Sequence, residues 1–208
     1  MWLIKIESGW TNKNRNKIKP EEFFKSEYPA IYNHLISYKD VKGKGKGLFD
    51  RDDQGDYWWE LRDCDYYPEF EKEKIVYQEM TNEGSFTWDR KKLYVNQTCY
   101  IMTNVNKYIC ALLNSKIIHF YFSQISYALG KGAFRWIKQF VEQLPIPRIS
   151  EDKQKPFVDL VDKILSITKG DDYLENPSKQ AKVKEYERQI DELVCKLYDL
   201  TEEEIKII

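Results

Sequence analysis

The stretch from residue 74 to residue 125 reads KIVYQEM (74–80), SFTWD (85–89), LYV (93–95) and TCYIMT (98–103), followed by NKYICALLNSKIIHFYFSQI (106–125). The four short runs are rich in β-branched and aromatic residues and are separated by polar or glycine-bearing turns, which predicts β-strands. The longer run has apolar residues at helical spacing, which predicts one helix or two short ones. This part of the chain therefore predicts a small sheet with helical segments beside it.

The segments before this stretch are more polar and carry many aromatic residues. Residues 1–7 predict a first strand, and residues 13–24 predict a basic connection that ends in a short helical turn. Residues 26–39 predict a helix, since Pro29 is acceptable in a first turn and the apolar residues from Tyr28 to Tyr38 recur at helical spacing.

The segments after it are helical and acidic. Residues 151–168 and 179–198 each carry an apolar helical face, and the polar linker between them favours an antiparallel pair. The sequence TEEE at 201–204 predicts a capping box that starts a last short helix. The predicted fold class is α/β or α+β, with a twisted mixed or antiparallel sheet and flanking helices in residues 1–148 and a helical spacer in residues 149–208.

The formal net charge of −1 hides an asymmetry along the chain. Residues 1–150 carry 23 Lys and Arg against 19 Asp and Glu, whereas residues 151–208 carry 10 against 15. Residues 74–148 alone carry 10 basic residues against 4 acidic ones. Because affinity for phosphate depends on local potential, the total charge does not exclude a nucleic-acid partner for the N-terminal part.

Several classes of protein are disfavoured by the sequence. It contains no apolar run long enough to span a membrane, and its first residues do not have the pattern of a signal peptide. The four cysteines are scattered without a C-x-x-C pair, which favours reduced thiols and a cytoplasmic location.

Catalytic signatures are also missing. The sequence has no G-x-S-x-G, H-E-x-x-H, phosphate-gripping loop or G-x-G-x-x-G motif. His34 and His119 lie in apolar helical segments without neighbours at metal-ligand spacing, so no metal site is predicted. The D-x-K triplets at 40–42 and 89–91 could belong to a nuclease, but such triplets are expected by chance in a chain with this many charges. We therefore expect no catalytic residue in this chain.

Three segments combine the residue types that DNA recognition needs, namely cations for phosphates and planar or amide groups for base edges. They are KGKGKGLFDRDDQGDYWWELR (42–62), the run from Lys74 to Lys92, and LGKGAFRWIK (129–138). For the first, a solvated charged loop beside a Trp-containing core strand is an equal alternative. For the second, an ordinary hairpin with charged turns is the favoured interpretation, and for the third a binding role is slightly favoured.

The predicted DNA-binding residues come from these segments. Arg51, Gln54, Arg62, Gln78 and Arg135 are the candidates for base edges. The other predicted DNA-binding residues are lysines, which are expected to neutralise phosphates, and two aromatic residues: Lys44, Lys46, Lys74, Lys131, Lys138, Tyr57 and Trp58.

The order of several motifs resembles that of a known family. YPAIYNHL (28–35), DQGDYWWELR (53–62), EKIVYQEM (73–80), TCYIMT (98–103), ICALLNSKI (109–117), the glycine loop with RW, and QLPIP (143–147) together resemble the TaqI-like C-terminal specificity domain. The pair LNS and LPIP is the most specific part of this resemblance. The order of elements is also similar to half of a type I specificity subunit.

The resemblance implies that the chain reads a short double-stranded DNA sequence for the methyltransferase and endonuclease parts of a type II restriction-modification enzyme. In such enzymes the methyltransferase uses S-adenosylmethionine to modify an adenine, and the nuclease uses magnesium. The N-P-P-Y signature of adenine methyltransferases is absent here, so we expect a recognition fragment or a separate subunit without a cofactor of its own. The alternative is a protein-interaction or scaffold module that does not bind DNA, and a stand-alone enzyme is a third interpretation without a candidate residue pair.

Overall fold

The computed structural model describes residues 3–40, 47–130 and 132–208. The chain divides into two compact units, Met1–Pro68 and Glu69–Ile208. Both helices and antiparallel strands are present, so the predicted mixed fold class is confirmed. None of the described helices is both long and apolar enough to cross a bilayer.

The first unit is built from short helices around an aromatic core. Its helices are α1 (Trp10–Asn14), α2 (Pro20–Glu27) and α3 (Pro29–Ile36), and the short helix α4 (Tyr67–Phe70) spans the boundary between the units. Helix α2 has a proline at its first position and two glutamates in its first turn, both of which favour a helix start. Phe24 of α2 is buried and stacks on Trp59 with ring centroids 5.0 Å apart.

Two predictions for this unit are wrong. Residues 3–7 do not form a strand, although Ile6 is buried and its carbonyl accepts a hydrogen bond from the Leu61 N–H at 2.7 Å. The single helix expected over 26–39 is divided between α2 and α3. The break falls at Tyr28, because the residue before a proline is disfavoured in the helical conformation.

Glu60 organises the polar part of the first unit. Its fully buried carboxylate accepts hydrogen bonds from the backbone N–H groups of Gly9, Thr11 and Asp56, at 3.1, 2.8 and 2.9 Å. Two of these donors lie at the start of α1, where helix N–H groups have no partner within the helix. One side chain therefore ties the segment around residue 60 to the segment around residue 10.

The second unit contains the sheets. Strands β1 (Lys74–Gln78), β3 (Phe86–Asp89) and β4 (Cys99–Met102) form an antiparallel sheet in the order β3-β1-β4, and strands β2 (Met80–Thr81) and β5 (Phe134–Arg135) form a two-stranded sheet. The helices are α5 (Lys107–Leu113), α6 (Lys116–Ile125), α7 (Lys138–Val141), α8 (Glu151–Thr168), α9 (Pro177–Leu197) and α10 (Glu202–Ile205).

The sheet and the C-terminal helices share one hydrophobic core. Ile75 and Trp88 of the sheet, Leu112 of α5, Val161 of α8 and Val194 of α9 all belong to it. Helices α8 and α9 also pack against each other, as their apolar faces predict. The functional division at residue 148 stays a prediction, because a shared core does not show which part of the unit meets a partner.

One predicted strand is absent from this unit, and the capping box is confirmed. Residues 93–95 are not a strand, because the carboxylate of Asp89 accepts hydrogen bonds from the N–H groups of Lys91 and Leu93 and bends the chain into a turn. Thr201 and Glu204 form the reciprocal hydrogen bonds of the capping box at the start of α10.

The two most specific motifs of the sequence have structural roles. Asn114 of the LNS motif accepts a hydrogen bond from the Phe86 N–H at 3.1 Å and donates one to the Phe86 carbonyl at 2.8 Å. The Asn114 side chain thereby supplies hydrogen-bond partners for backbone groups on the unpaired side of β3, which lies at one edge of the sheet. In the LPIP motif, the carbonyls of Pro145 and Pro147 accept hydrogen bonds from the hydroxyls of Tyr198 and Tyr108.

Candidate nucleic-acid interface

A glycine-containing hairpin leads into β5. Ala128 forms a bridge with Phe134, and the Leu129 N–H donates to the Ala133 carbonyl at 2.8 Å. Gly130 and Gly132 have φ angles of 88° and 77°, which side chains rarely adopt. No heavy atom of the described residues lies within 4 Å of a Cβ placed on either glycine, so this turn faces open space.

The base of the hairpin is held firmly by the core. The Trp136 side chain is fully buried and stacks on Phe122 with ring centroids 3.6 Å apart. The backbone N–H of Trp136 donates a hydrogen bond to the Glu79 carbonyl at 2.7 Å, and β5 pairs with β2 through Met80 and Arg135. The hairpin is thus a protrusion on a rigid base, a shape that can enter a groove of a duplex.

At the base of the hairpin, the side chain of Arg135 forms an ion pair with Glu79. Its Nε lies 2.6 Å from Oε1 of Glu79, and the side chains are 54% and 15% exposed, respectively. In the described part of the chain, the terminal amino groups of Arg135 have no hydrogen-bond partner. A guanidinium held at Nε with both terminal amino groups free can donate two parallel hydrogen bonds to one acceptor pair.

The other predicted residues of the second unit have different environments. Lys138 is exposed at the start of α7, with its Nζ 3.3 Å from Oε1 of Glu142. Gln78 is exposed at the end of β1. Lys74 is fully buried, and its Nζ is bound to Asp89 and to the Phe70 carbonyl. The prediction that Lys74 contacts DNA is therefore contradicted, since a buried ammonium group cannot reach a phosphate.

In the first unit, Arg51 and Gln54 form hydrogen bonds within their own segment. Arg51 donates to the carbonyls of Trp58 and Glu60, and the Gln54 amide donates to the carbonyls of Phe49 and Arg51, at 2.6 and 2.9 Å. These contacts shape the 49–61 segment. Neither side chain presents a free donor pair in this arrangement, so we leave both out of the proposed interface.

The aromatic residues of this segment have packing roles. Trp58 is only 9% exposed and stacks on Phe49, which contradicts its prediction as a DNA-binding residue. Tyr57 stacks on Trp59, and its hydroxyl donates to Asn12 at 2.8 Å. Among the described residues of the predicted set in this unit, few polar or aromatic groups therefore remain available for a ligand.

Among the described predicted residues of the first unit, Arg62 is the most accessible. It is exposed and donates to the Tyr66 hydroxyl at 2.8 Å, and this hydrogen bond raises the pKa of the Arg62 guanidinium. Lys44, Lys46 and Lys131 lie outside the described residues, so their predicted phosphate contacts stay predictions.

Sequence reasoning missed the residues that position the others. Glu79 was not a candidate, since a carboxylate is not expected beside phosphates, and only the β2–β5 pairing shows that it holds Arg135. Asp89 and Glu60 were missed for a similar reason. Their distant partners lie 15 and about 50 residues away in sequence, and no local pattern joins these pairs.

No group of three or more His, Cys, Asp or Glu residues within the described ranges could hold a metal ion. The described residues therefore do not fit the magnesium that the resemblance assigns to a nuclease.

The described fold is a mixed α/β chain with a projecting hairpin that presents an arginine at its base. The sequence matches the TaqI-like C-terminal specificity domain over residues 6–146, and the chain belongs to this family. Comparison with curated proteins finds no match. Family membership links the chain to DNA recognition in restriction-modification enzymes.

Proposed function

We propose that this chain is a target recognition domain that reads a short sequence in double-stranded DNA. In this proposal it directs the adenine methyltransferase and endonuclease parts of a type II restriction-modification enzyme to their site in the cytoplasm. S-adenosylmethionine and magnesium would serve those other parts. The chain would itself bind and orient DNA rather than carry out chemistry.

The observation that carries the proposal is the environment of Arg135. The side chain is exposed at the base of a protruding hairpin, and Glu79 fixes its Nε and leaves the terminal amino groups free. Arg is the residue that most often reads guanine, through paired hydrogen bonds to O6 and N7 in the major groove. The rigid base, set by Trp136 on Phe122, reduces the entropy lost when the arginine binds.

The test compares Arg135→Ala with Arg148→Ala. It uses the duplex that the wild-type chain binds most tightly, selected from a random-sequence pool, and duplexes that differ from it by one base pair. Arg148 is a matched control because it is exposed, lies in the same unit and forms no ion pair within the described residues. We expect Arg135→Ala to reduce discrimination at one base pair by about 1–3 kcal/mol. We expect Arg148→Ala to keep the ranking of the duplexes.

Two outcomes would contradict the proposal. An unchanged ranking with Arg135→Ala would remove the base-reading role of Arg135. If the wild-type chain shows no salt-dependent affinity for any duplex, the chain is better explained as a protein-interaction module.

A further inference from the structure

The three-stranded sheet has an outer face, opposite the core, that contributes to a cleft. Residues alternate between the two faces of a strand, so Val76 and Gln78 of β1 point away from the core that contains Ile75 and Tyr77. Val76 pairs with Thr87, and Gln78 pairs with Cys99. Gln78 and Thr87 are exposed, which gives this face an amide and a hydroxyl that can bind a ligand.

This face is one wall of a cleft of about 670 Å³, which we call the outer cleft. The end of helix α8 and the turn that follows β3 also contribute to its lining. The lining residues used in the argument are Val76, Gln78, Thr87, Lys91, Leu93 and Lys169.

The charges around the outer cleft are almost all positive. Arg90, Lys91 and Lys169 line it, and Asp89 is the single carboxylate among the described lining residues. Asp89 is buried and bound to Lys74, so it does not offset the lysines. Arg90 is partly neutralised by Asp162 at 2.8 Å and by Glu73 at 3.7 Å.

Lys91 and Lys169 carry the positive charge of this cleft that no described carboxylate neutralises. Both are exposed, and neither forms an ion pair with a residue in the described ranges. The backbone at Lys91 is fixed, because its N–H donates to Asp89 at 2.7 Å. Lys169 directly follows the last residue of α8. Two unpaired ammonium groups and the apolar side chains of Val76 and Leu93 in the same lining match a ligand that is both anionic and partly apolar.

We propose that the outer cleft binds the sugar–phosphate backbone of DNA beside the base-reading Arg135, an inference that rests on the proposed function. Lys91 and Lys169 neutralise phosphates, Gln78 and Thr87 donate hydrogen bonds to phosphate oxygens, and Val76 and Leu93 pack against sugars. Gln78 immediately precedes Glu79, the residue that holds Arg135. The phosphate track and the base-reading group are therefore close along the chain, and the end of α8 takes part in binding.

The test measures the salt dependence of binding to a mixed-sequence duplex of about 20 base pairs, by fluorescence anisotropy between about 50 and 200 mM KCl. The full chain is compared with Lys91→Ala/Lys169→Ala. Lys153→Ala is the control, because Lys153 is also exposed on α8, forms no ion pair within the described residues and lies about 24 Å along the helix from Lys169.

The double variant should reduce the slope of log K against log salt by about 1.8, since each phosphate contact contributes about 0.9. Lys153→Ala should keep the wild-type slope. Circular dichroism should show the same spectrum for all three proteins, because the substituted side chains are exposed.

The other outcomes separate the inference from the proposed function. If the double variant keeps the slope while Arg135→Ala still changes the ranking of duplexes, the outer cleft is not a phosphate track and the proposed function stands. A slope reduced equally by Lys153→Ala shows a general charge effect and also overturns the inference. Competition by dAMP as strong as that by the duplex would indicate a nucleotide pocket instead. Absence of salt-dependent duplex binding by the wild-type chain overturns both proposals.

Discussion

Nζ of Lys74 lies 2.5 Å from Oδ2 of Asp89 at the first position of the β1–β3 ladder, and the two side chains are 0% and 2% exposed. The same carboxylate binds the N–H groups of Lys91 and Leu93, and the same ammonium group binds the Phe70 carbonyl. One buried ion pair thus joins two strands and shapes the turn that carries Lys91.

Replacement of Lys74 by methionine should destabilise the protein by about 3–5 kcal/mol, because it leaves the Asp89 carboxylate buried without a counter-charge. Urea unfolding monitored by circular dichroism measures the change in the free energy of unfolding. Lys74→Met/Asp89→Asn should cost less than the sum of the two single changes, since the isolated charge is then absent. Additive costs would show that the two side chains do not depend on each other.

Replacement of Glu60 by alanine should destabilise the first unit by at least about 2 kcal/mol, because three buried or half-buried N–H groups lose their acceptor. Glu22→Ala is the control, as this glutamate is exposed on α2 and its ion pair with Lys19 is long, at 3.8 Å. The control should change stability by less than about 0.5 kcal/mol. Equal effects would contradict the organising role of Glu60.

Replacement of Glu79 by alanine should loosen recognition without abolishing binding. The variant frees Nε of Arg135, so the guanidinium can adopt more orientations and the preference for the correct base should fall. Competition titrations should show that the affinities for single-base-changed duplexes differ less from one another than they do with the wild-type chain. The salt slope should not decrease, because no cation has been removed. A reduced slope with an unchanged spread would show that Glu79 does not position Arg135.

The stability of the protein should depend on Cys110 at alkaline pH. Burial raises the pKa of the Cys110 thiol to about 12. The unfolded chain loses this proton near its ordinary pKa, so the contribution of Cys110 is complete below about pH 8.5 and decreases as the pH rises toward 12. Because Tyr77 and Tyr198 also have pKa values raised to about 12, the effect is best isolated between pH 9 and 10.

In that interval, Cys110→Ala should make the fall in unfolding free energy shallower by up to about 1.4 kcal/mol per pH unit. Urea titrations at several pH values give the slope. Ala111→Gly, at the neighbouring buried position of α5, provides the control, because it removes no titratable group and should leave the slope as it is. If Cys110→Ala also leaves the slope unchanged, the thiol ionises in the folded protein as easily as in the unfolded chain.

Local patterns were sufficient for most elements of the second unit. Helix α8 has the bounds that its apolar spacing predicts, and strands β1, β3 and β4 lie within the predicted runs. The strand predicted at 93–95 is absent. A three-residue β-type pattern is a weak preference, and two hydrogen bonds to Asp89 hold the chain in a turn instead. The expected strand at 1–7 failed similarly, since Ile6 is buried without a strand partner.

The candidate site was less predictable than the fold. Arg135 and Gln78 were chosen for their residue type, and both are exposed. Lys74 was chosen on the same ground and is buried, because its counter-charge lies 15 residues away on a paired strand. Residue type shows which groups are able to bind phosphate, whereas burial and ion pairing decide which of them are free to do so.

The sequence by itself determined the mixed fold class, the positions of the longer helices and the family, because these depend on short-range periodicity and on the order of motifs. Tertiary structure alone decided that Glu79 holds Arg135 and that Lys74 forms a buried ion pair with Asp89. It also decided that Lys91 and Lys169 line one cleft. Each of these arrangements joins residues that are distant in the chain. Their energies arise from strand pairing and helix packing, which no local pattern encodes.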